Sequence, residues 1–77
     1  MTERKVAEAD LAKLAKQFRV AAGKTRAAAA RELGVSRPSI FNAEEKPEDS
    51  LFKLRKRIIE KYSDFRVIGP EYHLVKS

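Results

Sequence analysis

Side chains able to form directed hydrogen bonds cluster in one short run of the chain, SRPSIFN at residues 36–42. Arg37 offers N–H donors in a rigid fork, Ser39 offers a hydroxyl, and Asn42 offers an amide that both donates and accepts. If the run is helical with its isoleucine facing inward, these polar side chains and Phe41 face outward. The chemistry expected of such a surface is the recognition of polar edges on another molecule.

Catalytic and metal-binding constellations are missing from the sequence. There is no cysteine, which excludes a disulfide framework and thiolate metal ligands. The single histidine, His73, stands beside Tyr72 with no carboxylate cluster at metal-ligand spacing, so a strand position explains it better than a ligand or a base. Glu44 and Glu45 are adjacent and cannot face one another on a helix. We predict a protein that is not an enzyme and uses no cofactor and no metal.

Length and composition set the scale of the molecule. Seventy-seven residues with 43% apolar content can build one small core but not two separate ones. The opening stretch MTERKVAEAD is charged from its third residue, and no later apolar run approaches the roughly 20 residues that a membrane helix needs. We expect one cytoplasmic protein without a signal peptide or membrane contact.

The charge balance is strongly basic for so short a chain. Seventeen Lys and Arg stand against eleven Asp and Glu, which gives a net charge of +6. A polyanion such as DNA or RNA is the natural partner, because each Lys or Arg near a phosphate releases condensed counterions. The alternative is a basic surface that serves solubility alone.

Apolar residues at helical spacing predict two helices in the first half of the chain. The first covers residues 7–22 and ends at Gly23, which can adopt the left-handed backbone that closes a helix. The second, RAAAARELG at residues 26–34, has Thr25 as its N-cap and Gly34 at its end. A helix this short is not stable alone, so tertiary packing must hold it.

A third helix is expected to begin abruptly after Ser36, which caps it. Arg37 and Pro38 fall in its first turn, where a missing N–H costs nothing because those donors are unpaired. The polar run EEKPEDS at residues 44–50 then predicts a loop, and its last two residues offer the next N-cap.

A fourth helix is predicted from about Leu51 to Tyr62, followed by a change of pattern. Its apolar positions recur on one face, and its basic side chains are expected to lie largely outward: Lys53, Arg55, Lys56, Arg57 and Lys61. In the tail, DFRVIGPEYHLVKS, β-branched and aromatic residues cluster around a Gly-Pro pair. The tail therefore predicts two short strands or an extended arm.

The stretch TRAAAARELGVSRPSIFNAE, residues 25–44, resembles the helix-turn-helix of the Cro and phage-repressor (Xre-type) family of DNA-binding regulators. In that family a Thr opens the second helix, Leu-Gly-Val-Ser makes the turn and a Glu ends the recognition helix. The matching positions here are Thr25, Ala30, Leu33, Gly34, Val35, Ser36, Ile40 and Glu44. This chain has Arg26 where the family usually has Gln, which favours a phosphate contact over a base contact.

The resemblance implies a fold and a division of the chain. The expected fold is mostly α, a four- to five-helix lambda-repressor-like helix-turn-helix domain with a short C-terminal β-strand pair or arm. Residues 1–63 would form the DNA-binding domain, and residues 64–77 would form the arm, a candidate dimerisation element. The implied function is a sequence-specific transcriptional regulator of prokaryotes or phages, a repressor that binds double-stranded DNA with its third helix in the major groove.

Chemistry assigns the contacts within this hypothesis. Candidates for base contacts are Arg37, Ser39, Phe41 and Asn42: an Arg can fork onto guanine, an Asn can pair with adenine, and an aromatic ring can contact a thymine methyl group. Burial against the fourth helix or the tail is the alternative for Phe41. The alternative for Arg37 is a phosphate contact, and for Asn42 it is a contact to an oxygen of the DNA backbone. Candidates for phosphate contacts are Lys24, Thr25, Arg26, Ser36 and Lys53.

The tail offers two alternatives for function. A lone recognition helix reads few base pairs, so we expect a homodimer on a pseudo-palindromic operator. The tail strands would pair across the two-fold axis through Phe65, Val67, Tyr72 and Leu74, or instead fold back as a hairpin on the fourth helix. The alternative function is an antitoxin-like or other protein-interaction module whose C-terminal strand docks on a protein partner.

Overall fold

Helices form most of the protein, in a computed structural model that describes residues 3–68 and 73–76. The elements in these ranges are β1 (Glu3–Lys5), α1 (Glu8–Ala21), α2 (Arg26–Leu33), α3 (Arg37–Glu45), α4 (Phe52–Tyr62), β2 (Phe65–Ile68) and β3 (His73–Lys76). The mostly α architecture with a short C-terminal strand pair is confirmed, whereas β1 is an addition that the sequence pattern does not predict. None of the described helices is long and apolar enough to cross a membrane.

Local capping groups end α1 and α2 and begin α2 and α3 as the sequence predicts. Gly23 and Gly34 have φ values of 73° and 69°, the left-handed conformation that turns the chain out of a helix. Thr25 Oγ1 and Ser36 Oγ each accept a hydrogen bond from the N–H of the third residue of the helix they cap, at 3.0 and 3.2 Å. Gly34 and the Ser36 cap thus join α2 to α3 through a tight turn.

The connection between α3 and α4 differs from the prediction. Residues 44 and 45 remain helical, so the loop covers residues 46–51, and the N-cap of α4 is Leu51, whose side chain makes no cap hydrogen bond. The prediction of Asp49 or Ser50 as the N-cap is therefore wrong. The Leu51 N–H instead donates to the Asp49 carbonyl oxygen at 3.0 Å, so backbone bonding closes the loop directly before α4.

The core is built from the inward faces of all four helices and of β2 and β3. Its fully buried residues with large apolar side chains are Leu11, Ile40, Ile58, Ile59 and Leu74. The short helix α2 contributes Ala29 and Ala30, whose small side chains let its backbone lie close to the neighbouring helices. Burial of these positions explains how a helix of eight residues is held in place.

The three strands form an antiparallel sheet in the order β1-β3-β2. In its register Arg4 lies opposite Leu74, and Leu74 lies opposite Val67. Val67 and Leu74 are buried in the core, and the Phe65 ring packs on the Phe18 ring of α1, with centroids 5.8 Å apart. The sheet therefore brings a segment from each end of the described chain together over the helices.

The tail is a hairpin within the chain, which is the second of the two arrangements considered above. Because β3 lies between β1 and β2, neither of its edges is open to a second molecule. At the edge of β2, the Phe65 N–H donates to Ser63 Oγ at 3.1 Å and the Val67 N–H donates to Glu60 Oε2 at 2.9 Å. These backbone donors are occupied, so the strand pairing proposed between two copies has no free donors here.

The residues expected at a dimer interface are accordingly used inside the chain. Val67 and Leu74 are almost completely buried, and Phe65 is half-buried against α1. Tyr72 lies outside the described residues. The alternation of apolar residues in the tail is explained by a core beneath the hairpin, which was not visible from the tail sequence alone.

The contribution of the hairpin to the core can be measured with Leu74→Ala. We expect this change to lower the free energy of unfolding by about 2 to 5 kcal/mol, because it leaves a cavity at a fully buried site. Urea denaturation followed by circular dichroism gives the value. Ile68→Ala, at a residue 44% exposed on the neighbouring strand, is the control and should cost less than about 0.5 kcal/mol. Equally small losses in both variants would contradict this packing.

Candidate nucleic-acid interface

One face of α3 is open to solvent and the opposite face is buried. Ile40 and Ala43 are fully buried, as predicted. Arg37 is exposed and Phe41 is 44% exposed, so the expectation that this ring faces outward is confirmed. Arg37 and Phe41 are four residues apart, which places them side by side on the open face, one helical turn apart. Asn42 is half-buried at its edge.

The first turn of α3 is tied together by its own hydroxyl groups. Ser36 Oγ lies 2.7 Å from Ser39 Oγ and also accepts from the Ser39 N–H. Both serines predicted to contact DNA are thus paired with each other at the start of the helix. Each hydroxyl keeps further hydrogen-bonding capacity, since an oxygen has two lone pairs.

An open groove of about 440 Å³ lies along this face, lined by Arg26, Arg37, Pro38 and Phe41. Arg26 comes from the start of α2, and its guanidinium carbon lies over the Phe41 ring, 5.0 Å from the ring centroid. The groove therefore combines apolar ring surfaces with two guanidinium groups. In the described part of the chain Arg37 forms no ion pair, which leaves its donors available.

Arg26, expected to contact phosphate, is held by carboxylates of α3. Its Nε donates to Glu44 Oε1 at 3.0 Å and its Nη2 donates to Glu45 Oε2 at 2.5 Å. The side chain is 31% exposed. Because α2 crosses α3, the N-terminus of α2 lies beside the second half of α3, a proximity that residue spacing does not reveal. A phosphate would have to compete with Glu45 for this guanidinium.

Beneath Arg26 lies a buried ion pair between α1 and α3. Arg19 Nε and Nη2 donate to the two carboxylate oxygens of Glu44, at 2.6 and 3.0 Å, and Arg19 Nη1 donates to the Lys24 carbonyl oxygen at 2.7 Å. The Glu44 side chain is completely buried. The sequence predicts Glu44 only as the end of the recognition helix, because partners 25 positions apart leave no periodic signal.

The outer carboxylate, Glu45, connects the groove to α1. It accepts a hydrogen bond from Lys16 Nζ at 2.7 Å in addition to the one from Arg26. The hydrogen bond from Lys16 and the positive charges of Lys16 and Arg26 lower the pKa of Glu45 below its ordinary value. Glu45 is therefore ionised at neutral pH and adds a negative charge beside the basic groove.

Arg55 of α4 does not face outward, and that prediction is wrong. It is fully buried, and its guanidinium donates to three backbone carbonyl oxygens: Ala43 at 2.8 Å, Lys46 at 2.6 Å and Asp49 at 2.7 Å. The carbonyl groups at a helix C-terminus have no partners within the helix, and a cation there is favoured by the helix dipole. Arg55 thus caps α3 and fixes the following loop.

Some of the other basic side chains bond to groups of the protein itself, and others remain exposed to solvent. Arg57 Nη2 donates to the Leu33 carbonyl oxygen at the end of α2, at 2.6 Å. Lys24, expected to contact phosphate, pairs with Glu32 at 2.9 Å. Lys53 is exposed and has no ion-pair partner in the described ranges, so it remains available for a phosphate. Two arginines of the basic run in α4, Arg55 and Arg57, therefore cap the C-terminal ends of α3 and α2.

The described residues contain no group of His, Asp or Glu side chains that could hold a metal ion. Comparison of the chain with known protein families, with curated proteins and with solved structures gives no match. The function is therefore inferred from the groove and from the elements that position it.

The role of Arg55 can be tested with Arg55→Lys. We expect a loss of about 2 kcal/mol or more in the free energy of unfolding, because a single ammonium group cannot reach three carbonyl oxygens in the fork geometry. Thermal and urea denaturation measure the change. Lys53→Ala, which removes an exposed charge from the same helix, should stay within about 0.5 kcal/mol. An Arg55→Lys variant as stable as the parent protein would show that the three bonds contribute nothing.

Proposed function

We propose that this protein is a sequence-specific DNA-binding transcriptional regulator of the Cro and phage-repressor type, which acts as a repressor. The observation that carries the proposal is the open face of α3, where the exposed side chains of Arg37 and Phe41 line a groove that has no carboxylate among its described lining residues. A helix presented in this way fits the major groove of B-DNA, and its exposed side chains can reach base edges.

Two further features support a DNA partner. The chain carries a net charge of +6, which attracts the phosphate backbone at any sequence. The recognition helix is also held rigidly, by Glu44 on its inner side and by Arg55 at its end. A recognition helix fixed in this way loses little conformational entropy when it enters the major groove of DNA.

The protein-docking alternative receives less support. It requires a tail strand with free backbone groups, whereas β3 is flanked by strands on both sides and the described N–H donors at the edge of β2 are occupied. The proposal retains a homodimer on a pseudo-palindromic operator. Because Val67 and Leu74 are buried within the chain, the contact between the two copies lies on other surfaces.

The first test is selection of binding sites from a random duplex library at two salt concentrations. We expect enrichment of a pseudo-palindrome. On the enriched site, Arg37→Ala should weaken binding by about 1 to 3 kcal/mol and relax the choice of one base pair, because a forked contact to guanine is lost. Lys53→Ala should weaken binding to all duplexes alike and reduce its salt dependence.

The outcomes separate the possible roles. If both variants lose the same affinity on every duplex, Arg37 contacts phosphate and not a base. If no sequence is enriched and affinity merely falls with salt, the protein does not read sequence and the proposal fails.

The competition between Glu45 and phosphate gives a second test. Glu45→Gln should strengthen binding to any duplex at low salt, because it removes a negative charge from the interface and loosens Arg26. Fluorescence anisotropy with a labelled duplex measures the change. Glu8→Gln in α1 makes the same change in net charge and is the control. An equal gain from both variants would mean that only net charge matters.

A further inference from the structure

We propose that the groove beside α3 reads the 5-methyl group of a pyrimidine in the major groove, within two base pairs of a guanine, and that Phe41 makes the contact. The inference rests on the proposed function, since it names the feature of duplex DNA that this groove would recognise. The methyl group is carried by thymine and by 5-methylcytosine, and the two sources share one chemistry.

Phe41 exposes apolar surface on the open face of α3. Its ring is 44% exposed, and an apolar partner that covers it removes this surface from water, which is favourable. The only apolar group that base edges present in the major groove is the C5 methyl group of a pyrimidine. A duplex docked on α3 therefore offers the ring one kind of contact.

The Phe41 ring is also held in place before any partner binds. The guanidinium of Arg26 lies 5.0 Å from the ring centroid and so covers one face. That guanidinium is itself fixed by Glu44 and Glu45. The rest of the Phe41 ring lines the groove, together with the ring of Pro38. A contact surface that is ordered in advance loses little side-chain entropy on binding.

Arg37 is placed to contact a base near the methyl group. It lies one turn before Phe41 in the same groove, about 6 Å along the helix axis. This separation is on the order of two base-pair steps of B-DNA. The fork of Arg37 matches the O6 and N7 acceptors of guanine. Arg37 has no ion-pair partner in the described ranges, and its charge beside the apolar ring favours a polyanion over an apolar protein segment as the occupant of the groove.

The test uses duplexes built on the site enriched from the random library. Each thymine of the half-site is replaced in turn by deoxyuridine, which removes only the methyl group. We expect one thymine, within two base pairs of a guanine, whose replacement weakens binding about fourfold, the effect of burying one methyl group. At the same position, 5-methylcytosine paired with guanine is compared with cytosine paired with guanine.

Protein variants assign the effect to Phe41. In Phe41→Ala the difference between thymine and deoxyuridine should disappear, while the dependence on the neighbouring guanine remains. Val20→Ala removes a side chain of α1 that is 57% exposed and does not line the groove, so it should keep the full difference. Circular dichroism confirms that both variants are folded.

Each outcome has one meaning. If the methyl group strengthens binding on both thymine and cytosine, the protein recognises the 5-methyl group itself. If it strengthens binding on thymine alone, thymine is the base that supplies the methyl group. Either result supports the inference if Phe41→Ala abolishes the difference. An enriched site with no methyl effect, or with an effect that survives Phe41→Ala, overturns the inference and leaves the proposed function standing. A library without enrichment overturns both.

Discussion

The arrangement of the first three helices depends on the completely buried carboxylate of Glu44. A buried charge is costly unless its hydrogen bonds are complete, and here the guanidinium groups of Arg19 from α1 and Arg26 from α2 meet the carboxylate of α3. These ion pairs need not add net stability. Their directional hydrogen bonds instead allow few orientations of α3, and they fix the Arg26 guanidinium that covers Phe41.

The α4 arginines extend the same principle to the other helix ends. Arg55 and Arg57 donate to carbonyl oxygens at or after the ends of α3 and α2, so two of the basic residues in KLRKR stabilise the framework. An arginine suits this task because its planar fork can serve several acceptors at once. The basic charge that remains for a polyanion is therefore smaller than the composition suggests, and it includes Arg37 at the start of α3 and Lys53 on α4.

The sheet explains why so small a chain needs its tail. β1 and β2 both pair with β3, which places Leu74 in the core and joins the N-terminal segment to the C-terminal one. A domain of this size buries a modest fraction of its surface, so each large side chain in the core counts for stability. The described strands of the tail, β2 and β3, therefore complete the core of the domain that carries α3.

Local rules in the sequence determined the bounds of α1 and α2, the start of α3 and the outward position of Phe41, since caps, positive-φ glycines and helical periodicity act over a few residues. The spacing of residue 55, which falls on the apolar stripe of α4, predicts a buried position for Arg55. The prediction of an exposed side chain followed its charge instead, and was wrong for that reason. Only the tertiary structure decided the pairing of Arg19 with Glu44, the stacking of Arg26 on Phe41 and the joining of β1 to β3. These contacts join residues far apart in sequence, and they depend on how the helices cross, which no short-range pattern records.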